Sequence, residues 1–201
     1  MENEPSWKQA LAIRGLAYQA TVGTLSSPIT GGGAGTVIVL RQSELRISVP
    51  SGTSIILLRI RVDCQIPISA ADSDESEILI AVAVGQAITD GTDTLETPVN
   101  MRTGSSQTTA TTVNSATTAD HASPTLDMEL AHAVKIAQIE PDTPTQAGEF
   151  HMWNDLWLEY EPEVSPVIDG PSTVLVYWGG TVATTGFCSA EWAEFANQQV
   201  Q

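Results

Sequence analysis

Cations are what this sequence has least of. Eight Lys and Arg stand against 24 Asp and Glu in 201 residues, a formal net charge of −16. Contacts to phosphate need clustered Lys and Arg, so nucleic acid is excluded as a partner, and so is polybasic attachment to a membrane surface. Charged residues make up only 16% of the chain and hydrophobic residues 42%. The imbalance therefore reflects missing cations rather than acidic tracts, and the composition can build a core. Cysteine is also scarce: Cys64 and Cys188 are too few for a disulfide framework or a zinc cage. Their apolar, strand-like surroundings predict buried free thiols, with a Cys64–Cys188 disulfide as the alternative. Apolar runs such as 55–58 and 78–84 fall far short of the roughly 20 residues a membrane-spanning helix needs. The first eight residues, with Glu2, Glu4 and Pro5, lack the basic flank and apolar run of a signal peptide. Synthesis in the cytoplasm is the expectation.

Catalytic patterns are missing as well. His121, His132 and His151 show no metal-ligand spacing, and no Gly-x-Ser-x-Gly elbow is present. The acidic stretch 72–77 opens like a calcium loop, but Glu77 and Ala83 stand where the sixth-position glycine and the twelfth-position glutamate belong. A solvated loop is the simpler reading, and the same holds for Asp90 and Asp93 around Gly91. Glu159, Glu161, Glu191 and Glu194 offer carboxylates that an all-β fold can gather, yet nothing singles out a pair at a separation suited to glycoside hydrolysis. The sequence thus predicts no enzyme, no cofactor and no metal.

What is present is β-patterning. Residues 36–40 form a β-branched run. Leu45, Ile47 and Val49 alternate with Arg46 and Ser48, and Leu58, Ile60 and Val62 alternate with Arg59, Arg61 and Asp63. That period of two predicts strands with one buried face, placing Arg46, Arg59 and Arg61 on solvent faces. Residues 78–84 read as a fully buried strand, and 128–136 as a strand in preference to a helix. Residues 103–118, rich in Thr, Ser and Ala, read as a long excursion or a weakly packed polar sheet. Leu156, Leu158 and Tyr160 alternate with Trp157, Glu159 and Glu161, residues 173–178 are β-branched and aromatic, Gly179-Gly180 reads as a hairpin break, and 187–195 ends the fold. About eight to ten strands at this turn spacing predict an all-β sandwich or barrel with almost no helix. Trp178 and Trp192 are expected in the core. Trp153 and Trp157 are expected at a subunit interface, or beside His151 and Asn154 as a platform for sugars.

The phrase Leu175-Val176-Tyr177-Trp178-Gly179-Gly180-Thr181-Val182-Ala183-Thr184-Thr185-Gly186-Phe187, running into Ala190-Glu191-Trp192-Ala193-Glu194-Phe195, resembles the C-terminal region of jelly-roll virion proteins of tailed phages. Val49-Pro50-Ser51-Gly52-Thr53-Ser54-Ile55, followed by an alternating strand and an acidic loop, is similar to the same group. The resemblance implies a jelly-roll-like β-sandwich that acts as an auxiliary capsid, cement or decoration protein. It also implies a homotrimer on the capsid surface of the virion, with the major capsid protein and neighbouring copies as partners, and no catalytic residues. The competing expectation is a carbohydrate- or receptor-binding β-sandwich of a tail or surface appendage. The two differ in where tryptophan lies, because a lectin exposes two or more in a groove and a cement protein buries them.

Residues 1–35 are expected as an N-terminal arm ending in the glycine-rich hinge Gly31 to Gly35, ahead of a β-sandwich domain over 36–201. Residues 7–18 fit a short helix or an extended arm. The expected partner-binding residues are Trp7, Leu11, Ile13, Leu16 and Tyr18 as apolar anchors, with Lys8 and Arg14 meeting acidic groups. The alternatives are a disordered tail or a strand of the protein's own sandwich.

Overall fold

The computed structural model describes residues 6–32, 38–66, 75–88, 94–115, 121–136, 155–181 and 184–197. Among them the chain forms one helix, α1 (Trp7–Ile13), and thirteen strands: β1 (Ala17–Val22), β2 (Ile29–Thr30), β3 (Leu45–Val49), β4 (Thr53–Gln65), β5 (Glu75–Val84), β6 (Thr94–Glu96), β7 (Val99–Asn100), β8 (Thr112–Ser115), β9 (Met128–Ile136), β10 (Asp155–Tyr160), β11 (Val167–Asp169), β12 (Ser172–Gly180) and β13 (Thr185–Ala196). They build two antiparallel sheets. One runs β10-β4-β13-β1-β7, with β11 also on β4 and β2 also on β13; the other runs β6-β8-β3-β12-β5-β9. The protein is an all-β sandwich.

Alternation explains the packing. Leu45, Ile47 and Val49 of β3, Ile78, Ile80 and Val82 of β5, and Val174, Val176 and Trp178 of β12 point inward from the six-stranded sheet. They meet Ile55, Leu57, Ile60, Val62 and Cys64 of β4 and Cys188, Ala190 and Trp192 of β13. The core lies between these two inner faces, as a sandwich requires. Trp178 and Trp192 are fully buried within it. Cys64 and Cys188 are buried free thiols.

Several details differ from the pattern read in the sequence. Residues 17–22 are not an arm: β1 lies between β13 and β7, with Ala17 opposite Ala193 and Val22 opposite Cys188. The alternation of Tyr18, Ala20 and Val22 with Gln19 and Thr21 gives β1 one apolar face, and burying that face completes the core. The sandwich therefore begins before residue 36. Gly31 and Gly32 are packed into it, since a Cβ on Gly31 would sit 2.1 Å from the Trp178 carbonyl oxygen; Gly33 to Gly35 lie outside the described residues. Residues 38–40 form no strand, and Gln42 N–H closes a turn on the Val39 carbonyl. Glu75, Ser76 and Glu77 belong to β5, whereas 72–74 and 89–93 lie outside the described residues. Gly179 and Gly180 complete β12 in place of breaking it. Val84, at the end of the run expected to be fully buried, is exposed.

The alternation of β4 also slips. Glu191 pairs with Arg59 and Trp192 with Leu57, so Leu58 is an extra residue at a β-bulge. Leu58 therefore turns away from Ile60 and Val62, to the outer side of the sheet, where it packs with Ala17, Ala193, Leu11 and Ala12. That outward apolar spot is what α1 covers. The helix starts at a capping box, Gln9 N–H donating to Ser6 Oγ and Ser6 N–H to Gln9 Oε1. It stops at Gly15, whose φ of 73° favours glycine.

The outer face of the six-stranded sheet is covered by coil. Leu175, Tyr177, Ala83 and Ile88 form a second buried cluster with Ile38, Leu79 and Leu126. Tyr177 OH donates to the Leu40 carbonyl at 2.9 Å, Ser48 Oγ to the Ile88 carbonyl at 2.7 Å, and Ile88 N–H to Thr173 Oγ1 at 3.0 Å. Under this cover Arg46 is only 1% exposed, so the expected solvent position for it is wrong. Local alternation reports only that Arg46 faces away from the core; the coil laid over it comes from distant parts of the chain.

Candidate binding surface

The outer face of the seven-stranded sheet is the part of the molecule where exposed aromatic and charged side chains meet on a rigid frame. Register places them. On β10 Leu158 and Tyr160 pack on the core and Leu156 is buried in it, so Trp157 and Glu159 point outward. On β4, past the bulge, Arg59, Arg61 and Asp63 point the same way. Cross-strand pairing sets Trp157 opposite Asp63 and Glu159 opposite Arg61. From the other side β13 sets Phe187 opposite Asp63 and Ser189 opposite Arg61.

Three of the eight cations are neutralised here. Arg59 Nη2 lies 2.6 Å from Glu159 Oε1, Arg61 forks onto Asp63 through Nε at 2.8 Å and Nη2 at 3.0 Å, and Lys8 Nζ lies 2.7 Å from Glu161 Oε1. The Asp63 carboxylate raises the pKa of Arg61, and Lys8 holds Glu161 below the usual glutamate value. Lys8 has a second partner: its ammonium donates to the Leu58 carbonyl at the bulge, at 3.0 Å. One helix residue thus ties α1 to the irregular point of β4 and to the chain just past β10.

The expected partner-binding residues separate into two groups on this face. Trp7 is 46% exposed, Ile13 60% exposed, and Arg14 is exposed beside them; the Lys8 ammonium lies 5.7 Å from the Trp7 ring centroid. Leu11 is turned down onto Leu58, and Leu16, half-buried, joins α1 to β1 with its N–H on the Leu11 carbonyl. Tyr18 is 5% exposed with its ring stacked on Trp192, centroids 6.2 Å apart, which corrects its assignment as an anchor for a partner. Trp157, at 59% exposed, joins the surface; Trp153, His151 and Asn154 lie outside the described residues. Sequence reading missed Asp63 and Phe187 as members of this face because only cross-strand register brings them beside Trp157.

Two other places hold polar groups. At one end of the sandwich a cleft of about 470 Å³ is lined by residues including Tyr18, Thr53, Gln107, Thr108, Glu194 and Phe195. No tryptophan lines it. Glu194 is already committed, accepting from the N–H groups of Ala110 and Thr111 and from Thr109 Oγ1, so it pins the 109–111 coil to β13. Elsewhere Glu44, 3% exposed, accepts from Gly32 N–H and from Trp178 N–H at 2.8 Å. Burial pushes its pKa up to about 8. Burial, with Glu44 as a neighbouring charge, also raises the pKa of Cys64, Cys188 and Tyr177.

His121 is buried, with Nε2 against Ser43 and Nδ1 against the Ala122 carbonyl, and His132 faces Glu77. No group of three or more His, Cys, Asp or Glu among the described residues is placed to hold a metal ion. No helix among the described residues is long and apolar enough to cross a membrane. No family model matches the chain, and neither a curated protein nor a solved structure matches it.

Proposed function

We propose that this protein is a virion structural component, a jelly-roll capsid decoration or cement protein, that docks through the α1 end of the seven-stranded sheet's outer face. The reading rests on the resemblance of 175–195 and 49–55 to tailed-phage virion proteins. One observation supports this choice of surface: Trp7 and Ile13 stand 46% and 60% exposed on a helix that is itself clamped to the sheet. Large apolar side chains held on a rigid base lose little entropy on binding, which suits an anchor for the major capsid protein. Local charge supports the same end of the face. In a chain of net charge −16, copies repel one another over most of their surfaces, whereas Lys8 and Arg59 are paired here with Glu161 and Glu159. A homotrimer built through the remaining edges completes the proposal.

Deleting residues 1–30 would remove β1 and β2, so surface substitutions are the cleaner test. Trp7→Ala/Ile13→Asp is expected to leave the melting temperature within a few degrees of wild type and to abolish decoration of purified heads lacking the protein. Unchanged occupancy of the heads by the double variant would overturn the assignment of this surface. A monomer by light scattering at micromolar concentration would overturn the trimer.

A further inference from the structure

We propose that the other half of the same face, away from α1, is a glycan-binding platform for a neutral, extended β-linked polysaccharide. Trp157 and Phe187 would stack on sugar rings, and Asp63 between them would accept hydrogen bonds from sugar hydroxyls. The inference does not depend on the decoration reading.

The geometry follows from register alone. Trp157, Asp63 and Phe187 occupy one row across three neighbouring strands, β10, β4 and β13. All three point away from the core, because Leu156, Val62, Cys64 and Cys188, their chain neighbours, are buried in it. Trp157 and Phe187 are separated by two interstrand steps, about 9.5 Å between backbones. That spacing matches every second ring of an extended β-1,4-linked chain laid across the strands. Trp157 is 59% exposed and Phe187 is half-buried, so Trp157 supplies the larger share of the stacking surface. Stacking of a pyranose ring's C–H face on an aromatic ring is hydrophobic and weakly polar, and it needs a flat, accessible surface.

The centre of the row is what favours a sugar over a protein side chain. Arg61 Nε and Nη2 each donate to a different oxygen of Asp63. A fork of this kind uses one lone pair on each oxygen and fixes the carboxylate in orientation. The remaining lone pairs face a ligand that brings hydroxyl donors. An apolar side chain docked at the same place would desolvate the ion pair and return nothing to it. In the next row the Ser189 hydroxyl stands opposite Arg61 and adds a further polar partner. The pair Arg61 and Asp63 sums to zero charge inside a chain of net charge −16, so anionic glycans are repelled and a neutral one is selected.

The full-length protein can be titrated with cellohexaose, chitohexaose and mannohexaose by calorimetry and by chemical-shift mapping. At least one is expected to bind with a dissociation constant in the millimolar range or tighter, shifting resonances of Trp157, Asp63 and Phe187. Trp157→Ala should weaken that binding at least tenfold and Phe187→Ala less, and Asp63→Asn, which keeps one acceptor oxygen, should fall between them. Failure of all three hexasaccharides to bind would overturn the proposal, as would binding that Trp157→Ala leaves unchanged. If Trp157→Ala lowers decoration of heads while no sugar binds, the row belongs to protein docking and the glycan reading is wrong. Loss of decoration in Trp7→Ala/Ile13→Asp with sugar binding intact would separate the two sites.

Discussion

On the six-stranded sheet the outward residues Thr173, Leu175 and Tyr177 are as buried as the core, whereas on the seven-stranded sheet the outward Trp157 and Arg61 stand in solvent. Both sheets have the same inward alternation of aliphatic residues. They differ in what the connecting segments do. Coil from 38–43 and 86–88 is tied across the first by hydrogen bonds to Ser48, Thr173 and Tyr177, and 121–126 is tied to that coil by His121 N–H on the Arg41 carbonyl and Thr125 N–H on Gln86 Oε1. Among the described residues the second carries one seven-residue helix, over the spot where Leu58 turns out. A sheet face that has been covered contributes stability; a face left bare while carrying Trp and paired cations is available for recognition.

That contrast is broken most directly by truncating one aromatic on each face. Tyr177→Ala removes a fully buried ring and leaves the Leu40 carbonyl without its donor, at a cost of about 4 kcal/mol. In a chain of this length that lowers the melting temperature by roughly 10 °C. Trp157→Ala should change stability by no more than about 0.5 kcal/mol. Thermal denaturation followed by circular dichroism reads both, and equal losses would show that the two faces are not in different states.

A second, smaller effect sharpens the comparison on the covered side. Glu44 enters β3 with its carboxyl buried, holding Gly32 and the backbone of Trp178. Its folded pKa of about 8 lies above the ordinary glutamate value. The folded state therefore binds more protons than the unfolded state between those two values, and stability is greatest at the acid end and falls as pH rises toward 8. Above that range Cys64, Cys188 and Tyr177, whose pKa values burial also raises, extend the decline. Urea midpoints between pH 5 and 8 should drop by the equivalent of roughly 3 kcal/mol in wild type. In Glu44→Gln the slope over that window should largely vanish, whatever the absolute stability of the variant. A wild-type midpoint that does not move with pH would contradict the buried, protonated carboxyl.

The covered and open faces were legible in the sequence to different degrees, for physical reasons. Alternation in 45–49, 156–160 and 173–178 identifies inward residues reliably, since a strand's side chains change face at every step. It carries no information on whether the other face is covered, which is why Arg46 reads as exposed and is buried. The bulge is written in the sequence as Leu57-Leu58, an apolar doublet that breaks the period of two, yet the alternating run after it draws Leu58 into the wrong face. Residues 17–22 carry a period-two signal as well, but it is short and lies between a helix-compatible stretch and a glycine run. The face bearing Trp157 was half legible. Trp7 and Lys8 were among the expected partner-binding residues, but the contacts of Lys8 with Glu161 and with the Leu58 carbonyl span 153 and 50 residues. Such contacts follow from topology, and no local spacing encodes them.

The smallest effect belongs to the open face and tests whether its charges behave as surface charges do. Lys8 and Glu161 are both partly exposed, and a pair of this kind adds little to stability because water and salt screen it. It still leaves a trace in titration. Lys8, through its hydrogen bond and its charge, holds the Glu161 carboxyl below the usual glutamate value. A depressed folded pKa gives a contribution that is present above the ordinary glutamate value and is lost as pH falls through the folded one. Carboxyl chemical shifts of Glu161 should accordingly titrate below the ordinary range in wild type and return toward it in Lys8→Met. Salt at 1 M, where the screening length is about 3 Å, should produce most of the same return in the wild-type protein. If the pair were instead shielded like the groups under the 38–43 coil, salt would leave the titration where it was, and the open face would prove closed.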